Sequence, residues 1–275
     1  MNHTGYVALV DTDRAELRER IATAWKHFDR VARSADPMAR PPRMEWTAHQ
    51  IVAHVLTVAY RYREIMDGRM FRRASSPRDV DVINQIELDA IMAPQPDMIE
   101  QLDQLRAIAA DMDAFFDTIT DESMFPFHCD IEISGVAAQT NWLGELVFHG
   151  EDIARAAKAP FDIRERDMLL IARGLMEMGH AWVRSDLSPD TDLCVALKVP
   201  GARPYVIHIH HGTAEFRERR PDDRPDAVMR TPASVLTQML YQRIGPIGAA
   251  RRGLFIVGGR RPWAALKLQS YFEGA

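Results

Sequence analysis

The chain has 275 residues, of which 47% are hydrophobic and 27% charged, with a formal net charge of −5. That balance excludes a disordered or fibrous chain, and the acidic excess gives no electrostatic reason to expect nucleic acid as a partner, although arginines cluster locally in the C-terminal third. No apolar run approaches the roughly 18 residues of a membrane span, and the N-terminal stretch from Met1 to Val10 lacks the basic and apolar regions of a signal peptide. The two cysteines, Cys129 and Cys194, form no CxxC unit, so a reducing, cytoplasmic setting is expected. The length favours two domains over one.

In chain order, Leu17, Ile21, Trp25, Phe28 and Val31 recur at steps of three and four, which predicts an amphipathic helix ending near Ser34 to Pro37. After a proline-rich loop, Thr47-Ala48-His49-Gln50 has the form of a capping box. It opens a second helix with the stripe Ile51, Val55, Val58, Tyr62 and Ile65, stopped at Gly68. His49 falls in the first turn and is expected to face solvent, whereas His54 lies on the buried stripe. Residues 70–95 read as a less regular surface connection, with one short helix over 80–92. A third helix is predicted from about Pro96 to Thr120, with Met98, Leu102, Leu105, Ile108, Met112 and Phe115 in phase. Residues 125–135 have no assigned state. A fourth helix runs from about Gln139 to Lys158 and is ended by Pro160.

The pattern then changes. A long helix from about Ile163 to Arg184 precedes four β-like runs over 192–199, 205–211, 214–219 and 226–230, and short helices follow, including 234–242 and 263–272. The expected fold is α+β: a four-helix bundle over 1–160 and a smaller α/β domain over 161–275.

Chemistry centres on Glu145 and His149. Residues at i and i+4 share a helix face, so the pair can offer an oxygen and a nitrogen to one metal ion. A glutamate in phase with Trp142 and Leu146 would place a carboxylate against the bundle interior, which is costly unless it is paired or bound to a cation. His54, on another buried stripe, supplies a third donor and an open site with room for water or substrate. Asp152, three residues after His149, fits a fourth ligand, an orienting partner of that imidazole or a helix salt bridge. In His208-Ile209-His210-His211, strand alternation puts His208 and His210 on one face, but no carboxylate or cysteine completes a convincing set. They read as surface or pocket-lining residues. No Gly-x-Ser-x-Gly, GxGxxG or P-loop signature is present.

The runs Trp46 to His54 and Gly144-Glu145-Leu146-Val147-Phe148-His149-Gly150-Glu151-Asp152-Ile153-Ala154-Arg155-Ala156 resemble the mycothiol-dependent maleylpyruvate isomerase family. The resemblance implies a DinB-like metal-binding bundle and, for Thr231 to Leu236 and Gly253 to Gly259, a C-terminal domain similar to sterol carrier proteins. It implies a divalent metal, usually zinc, on His54, Glu145 and His149. Mycothiol is the implied thiol cosubstrate, and an arginine of the second domain is implied near the metal. Arg243, Arg251, Arg252, Arg260 and Arg261 are available for that role, and Arg243 and Arg252, with Asp152, are the catalytic candidates.

Three functional readings follow. A metal-held thiolate suits an isomerase or S-transferase acting on a small electrophile. The same metal activating water, with Glu151 or Asp152 as general base, suits a hydrolase. A structural bundle joined to a domain that binds an apolar small molecule or lipid would not be catalytic. A homodimer is compatible with all three.

Overall fold

The computed structural model describes residues 7–42, 44–120 and 122–273, so the first six residues of the segment considered above for a signal peptide lie outside it. No helix among the described residues is long and apolar enough to cross a membrane. The chain divides into two compact units, one of residues 13–163 and one of residues 164–273 with 7–12.

In the first unit α1 (Arg14–Ser34) starts where the Asp13 side chain accepts a hydrogen bond from the Glu16 amide, and it buries Leu17, Ile21, Ala24, Phe28 and Val31. The capping box of α2 (Ala48–Met66) is formed in both directions: Gln50 N donates to Thr47 Oγ1 at 3.2 Å, and Thr47 N donates to Gln50 Oε1 at 2.9 Å. His49, expected in solvent, is half-buried, because the first turn of α2 does not lie open to water.

The connection read as less regular, with one short helix over 80–92, contains α3 (Pro77–Met92), which ends where expected and starts three residues earlier. Pro77 begins it rather than breaking it, since the first helical position needs no amide donor and favours the fixed φ of proline. The next helix, α4 (Met98–Thr118), is capped by Asp97 and buries Leu102, Leu105, Ile108, Met112 and Phe116. Phe116, not Phe115, completes the stripe. The unassigned segment is a small hairpin, β1 (Met124–Pro126) antiparallel to β2 (Glu132–Ser134), with a 3-10 turn over His128–Asp130 between them. Ser134 then caps α5 (Gly135–Ala156) by accepting from Ala137 N at 3.1 Å, so this helix starts a turn earlier than its apolar pattern indicates. The bundle consists of α1, α2, α4 and α5: α1 packs along α5 and α4, α2 packs on α4 and α5, and α3 lies against α2.

In the second unit α6 (Glu165–Met178) passes into a 3-10 turn at Gly179–Trp182 instead of continuing to Arg184. A Cβ at Gly179 would stand 2.4 Å from the Phe216 ring, so the bare backbone is what admits that ring. The sheet comprises β3 (Leu193–Lys198), β4 (Tyr205–His210), β5 (Thr213–Glu218), β6 (Ala227–Arg230) and β7 (Phe255–Gly258), in the order β5-β4-β3-β6-β7. The β3/β6 pair is parallel and the others are antiparallel. Between β6 and β7 run α7 (Ala233–Leu240) and α8 (Pro246–Arg251), and a 3-10 helix over Pro262–Tyr271 follows. The fold is α+β, as expected. β7 was not among the strands predicted: it is a short edge strand with Phe255 and Val257 exposed, so it lacks an inward apolar alternation. Residues 7–9 run beside the start of β4, where Tyr205 Oη donates to Val7 O at 2.8 Å and Arg203 N donates to Leu9 O at 3.0 Å.

Gly259 ends β7 with φ +114°, and a Cβ there would meet Asp226 O at 2.2 Å, whereas one at Gly258 would touch only Val228 at 4.0 Å. Chemical denaturation should therefore show Gly259→Ala losing about 2–4 kcal/mol through strain and backbone displacement, with Gly258→Ala nearly neutral. Equal losses at the two positions would contradict this account of the turn.

Candidate metal centre

His54 lies seven residues after the Thr47 cap, two helical turns into α2, and Glu145 and His149 lie one turn apart on α5. The packing of α2 on α5 brings all three together. His54 Nε2 is 3.6 Å and His149 Nε2 3.3 Å from Glu145 Oε2, the two rings stand 4.9 Å apart edge to face, and the three donor atoms lie within 4.8 Å of one another. Their side chains are only 7%, 15% and 19% exposed for His54, His149 and Glu145. Trp46, just before the cap, packs on His54 with ring centroids 4.9 Å apart.

The donor set fits a divalent cation. Glu145 Oε2 is buried without a hydrogen-bond partner, as are His54 Nδ1 and His149 Nδ1, although a carboxylate in such a place normally demands strong compensation. Two imidazoles and one carboxylate form a borderline set suited to zinc and its neighbours. The electrostatics agree. Burial pushes the Glu145 carboxyl up, but the His149 and His54 imidazoles outweigh it and hold the group well below the usual carboxylate range. Burial also pulls His149 down, yet the Asp152 and Glu145 carboxylates raise it to about 9. His54 is lowered by burial, with the neighbouring His149 acting in the same direction. Asp152, 3% exposed, places Oδ2 3.5 Å from His149 Nδ1, on the ring edge away from Glu145. This is where a carboxylate orients a ligating imidazole. Glu151, the other base considered for a hydrolase, accepts from Arg155 at 2.6 Å.

Two nearby residues were not singled out by the sequence. Arg61, two turns beyond His54 on α2, donates to Glu87 at 2.6 Å and to Asn84 at 2.6 Å, both on α3, and its Nη1 lies 3.1 Å from His128 Nε2. His128 Nδ1 in turn accepts from Ala74 N at 3.0 Å. The i+7 spacing of His54 and Arg61 was available in the sequence, but the partners on α3 and the hairpin turn were not. The candidate arginines belong to the second unit. Arg260 and Arg261 clamp Asp226, at 2.9 and 3.0 Å, and Arg252 donates to Gln238 at 2.5 Å.

Burial, with Arg61 and Arg73 adding like charge, lowers His128 to about 4. Because the unfolded chain takes up this proton near the ordinary imidazole value of 6.5, stability should fall as pH drops from about 6.5 toward 4 and be fully present above that window. NMR titration of the folded protein should find the His128 ring neutral at pH 6, and a normal midpoint would contradict the buried Arg61–His128 arrangement.

No protein-family model matches the chain, and no curated protein matches its sequence. Among solved structures it is similar to the mycothiol-dependent maleylpyruvate isomerase, with a TM-score of 0.57 and 15% identity, over 92% of this chain and 97% of that one. A histidine-to-alanine variant of that enzyme gives the same TM-score and coverage at 14% identity. At this identity the likeness is one of fold, and it extends over both units: the chain has the maleylpyruvate isomerase fold, a helical bundle followed by an α/β unit.

Proposed function

We propose that the chain is a metal- and mycothiol-dependent enzyme that acts on a small electrophile, as an isomerase or an S-transferase, with His54, Glu145 and His149 as the metal ligands. The observation that carries the proposal is the buried Glu145 carboxylate, set between two imidazoles and left without a hydrogen bond at Oε2. A fold shared with an enzyme described as mycothiol-dependent supports the choice of cosubstrate.

A bound divalent ion, zinc by the nature of the donors, would lower the pKa of a thiol and supply thiolate at neutral pH. The chain's residues do the rest. The Asp152 carboxylate faces Nδ1 of the His149 ring at 3.5 Å, Trp46 packs on His54, and Arg61 is pinned by α3 so that its charge acts through space. Neither Cys129, raised to about 11 by burial, nor Cys194, raised likewise, provides a thiolate at neutral pH. The nucleophile is therefore external. Its sulfur adds to one carbon of an activated double bond, rotation follows, and elimination returns the thiol, so isomerisation consumes neither oxidant nor reductant. Retention of the new C–S bond, with the proton released by the thiol delivered to the other carbon, gives instead the addition product of an S-transferase. Arg243 and Arg252 are the candidates for binding an anionic part of the substrate.

Elemental analysis of protein prepared without chelators should find about one equivalent less metal in the His54→Ala/His149→Ala double variant than in wild type. Equal contents would refute the ligand assignment. Turnover of maleylpyruvate or a related electrophile should require mycothiol, whereas thiol-independent turnover would indicate water activation instead. Asp152→Asn should lower metal affinity or activity by roughly 10–100-fold, and alanine at Arg243 or Arg252 should raise KM more than it lowers kcat if that arginine binds substrate.

A further inference from the structure

The second unit holds another cluster of metal-ligating side chains. β4 and β5 are joined by the two-residue turn His211-Gly212, with φ of +50° and +74°, the left-handed pair that a tight hairpin of this hand uses. The turn sets the register and places Glu215 directly across from His208, with His210 two residues along on the same face. The donor atoms of His208, His210 and Glu215 lie within 4.8 Å of one another, and His210 Nε2 is 3.4 Å from Glu215 Oε1. His210 Nε2 is nevertheless buried without a hydrogen-bond partner. Around this trio the groups are already arranged. Glu215 Oε2 accepts from Arg217 Nε at 3.3 Å, which fixes the carboxylate and leaves Oε1 toward the histidines, while Asp192 Oδ1 lies 2.9 Å from His208 Nε2. Arg217 is itself held on Asp223 at 2.8 Å.

We propose that His208, His210 and Glu215 form a second divalent-metal site, of the two-imidazole, one-carboxylate type that takes zinc, cobalt or nickel. Around one zinc ion, donors stand about 3.4 Å apart, as bond lengths of about 2.0–2.1 Å and tetrahedral angles require. Small side-chain rotations close the remaining gap. With three protein ligands and Glu215 48% exposed, the site is open to solvent and keeps a position for water or another donor. Arg217 and Asp192 are positioning residues that hold the carboxylate and one imidazole. The site uses none of the residues of the first centre and stands or falls independently of it.

The full-length His54→Ala/His149→Ala protein isolates the question. Equilibrium dialysis against Zn2+ should show about one bound equivalent, and Co2+ should give the visible absorption of a low-coordinate site. Adding His210→Ala or Glu215→Gln should weaken binding by roughly a hundredfold or more, and Asp192→Asn by roughly tenfold. Circular dichroism verifies that each variant is folded. A second arm does not depend on the first centre: His208→Gln/His210→Gln in otherwise wild-type protein should hold about one equivalent less zinc than wild type. No stoichiometric binding in the first protein, or no loss of zinc in the second, overturns the proposal.

Discussion

A carboxylate buried between two imidazoles is the constraint around which the first unit is organised. Glu145 tolerates its position only because His54 and His149 flank it, and that requires α2 and α5 to meet at one depth and rotation. The Thr47 capping box sets where α2 begins, and His54 follows two turns later on the same face. Ser134 sets the start of α5. A slip of one residue in either helix would turn one of these side chains by about 100° and leave a charged group buried without its counterpart, which is far costlier than losing an apolar contact.

The surroundings extend this logic outward. α3, reached through a proline that starts a helix, contributes Asn84 and Glu87 to fix Arg61, and Arg61 fixes His128 on the hairpin turn. The apparently spare parts of the bundle unit thus hold the charges bordering the cluster. In the second unit the arginines divide by role: Arg260 and Arg261 hold the buried Asp226, whose carboxylate also accepts from Cys194 N at 3.1 Å. They act as a clamp between β7, β6 and β3.

Both clusters of donors follow from one rule applied to two kinds of backbone. On α5, helical repeat puts Glu145 and His149 together at i and i+4. On the β4–β5 hairpin, strand alternation puts His208 and His210 together, and the two-residue turn brings Glu215 opposite. Local geometry supplies two donors in each case, and the third arrives from a neighbouring element. In the bundle that neighbour is a helix distant in sequence, whereas in the sheet it is the next strand.

The sequence by itself determined the helical segments, most of the strands and the α+β class, because apolar periodicity and caps act over a few residues. It also marked His54, Glu145, His149 and Asp152, since a polar group in phase with a buried stripe is conspicuous in one dimension. It placed the start of α3 three residues late, because a proline at the first helical position carries no apolar signal of its own. It passed over Phe116 for its neighbour Phe115, because adjacent aromatics differ in burial only by the helix's rotation in the bundle. β7 escaped notice because a short edge strand buries little. Only the tertiary structure decided that Arg61 and His128 border the cluster, that Arg260 and Arg261 serve Asp226, and that Glu215 faces His208 and His210. Those pairings depend on strand register and on the docking of whole elements, and distances between such groups follow from many weak contacts summed over the core rather than from any local pattern.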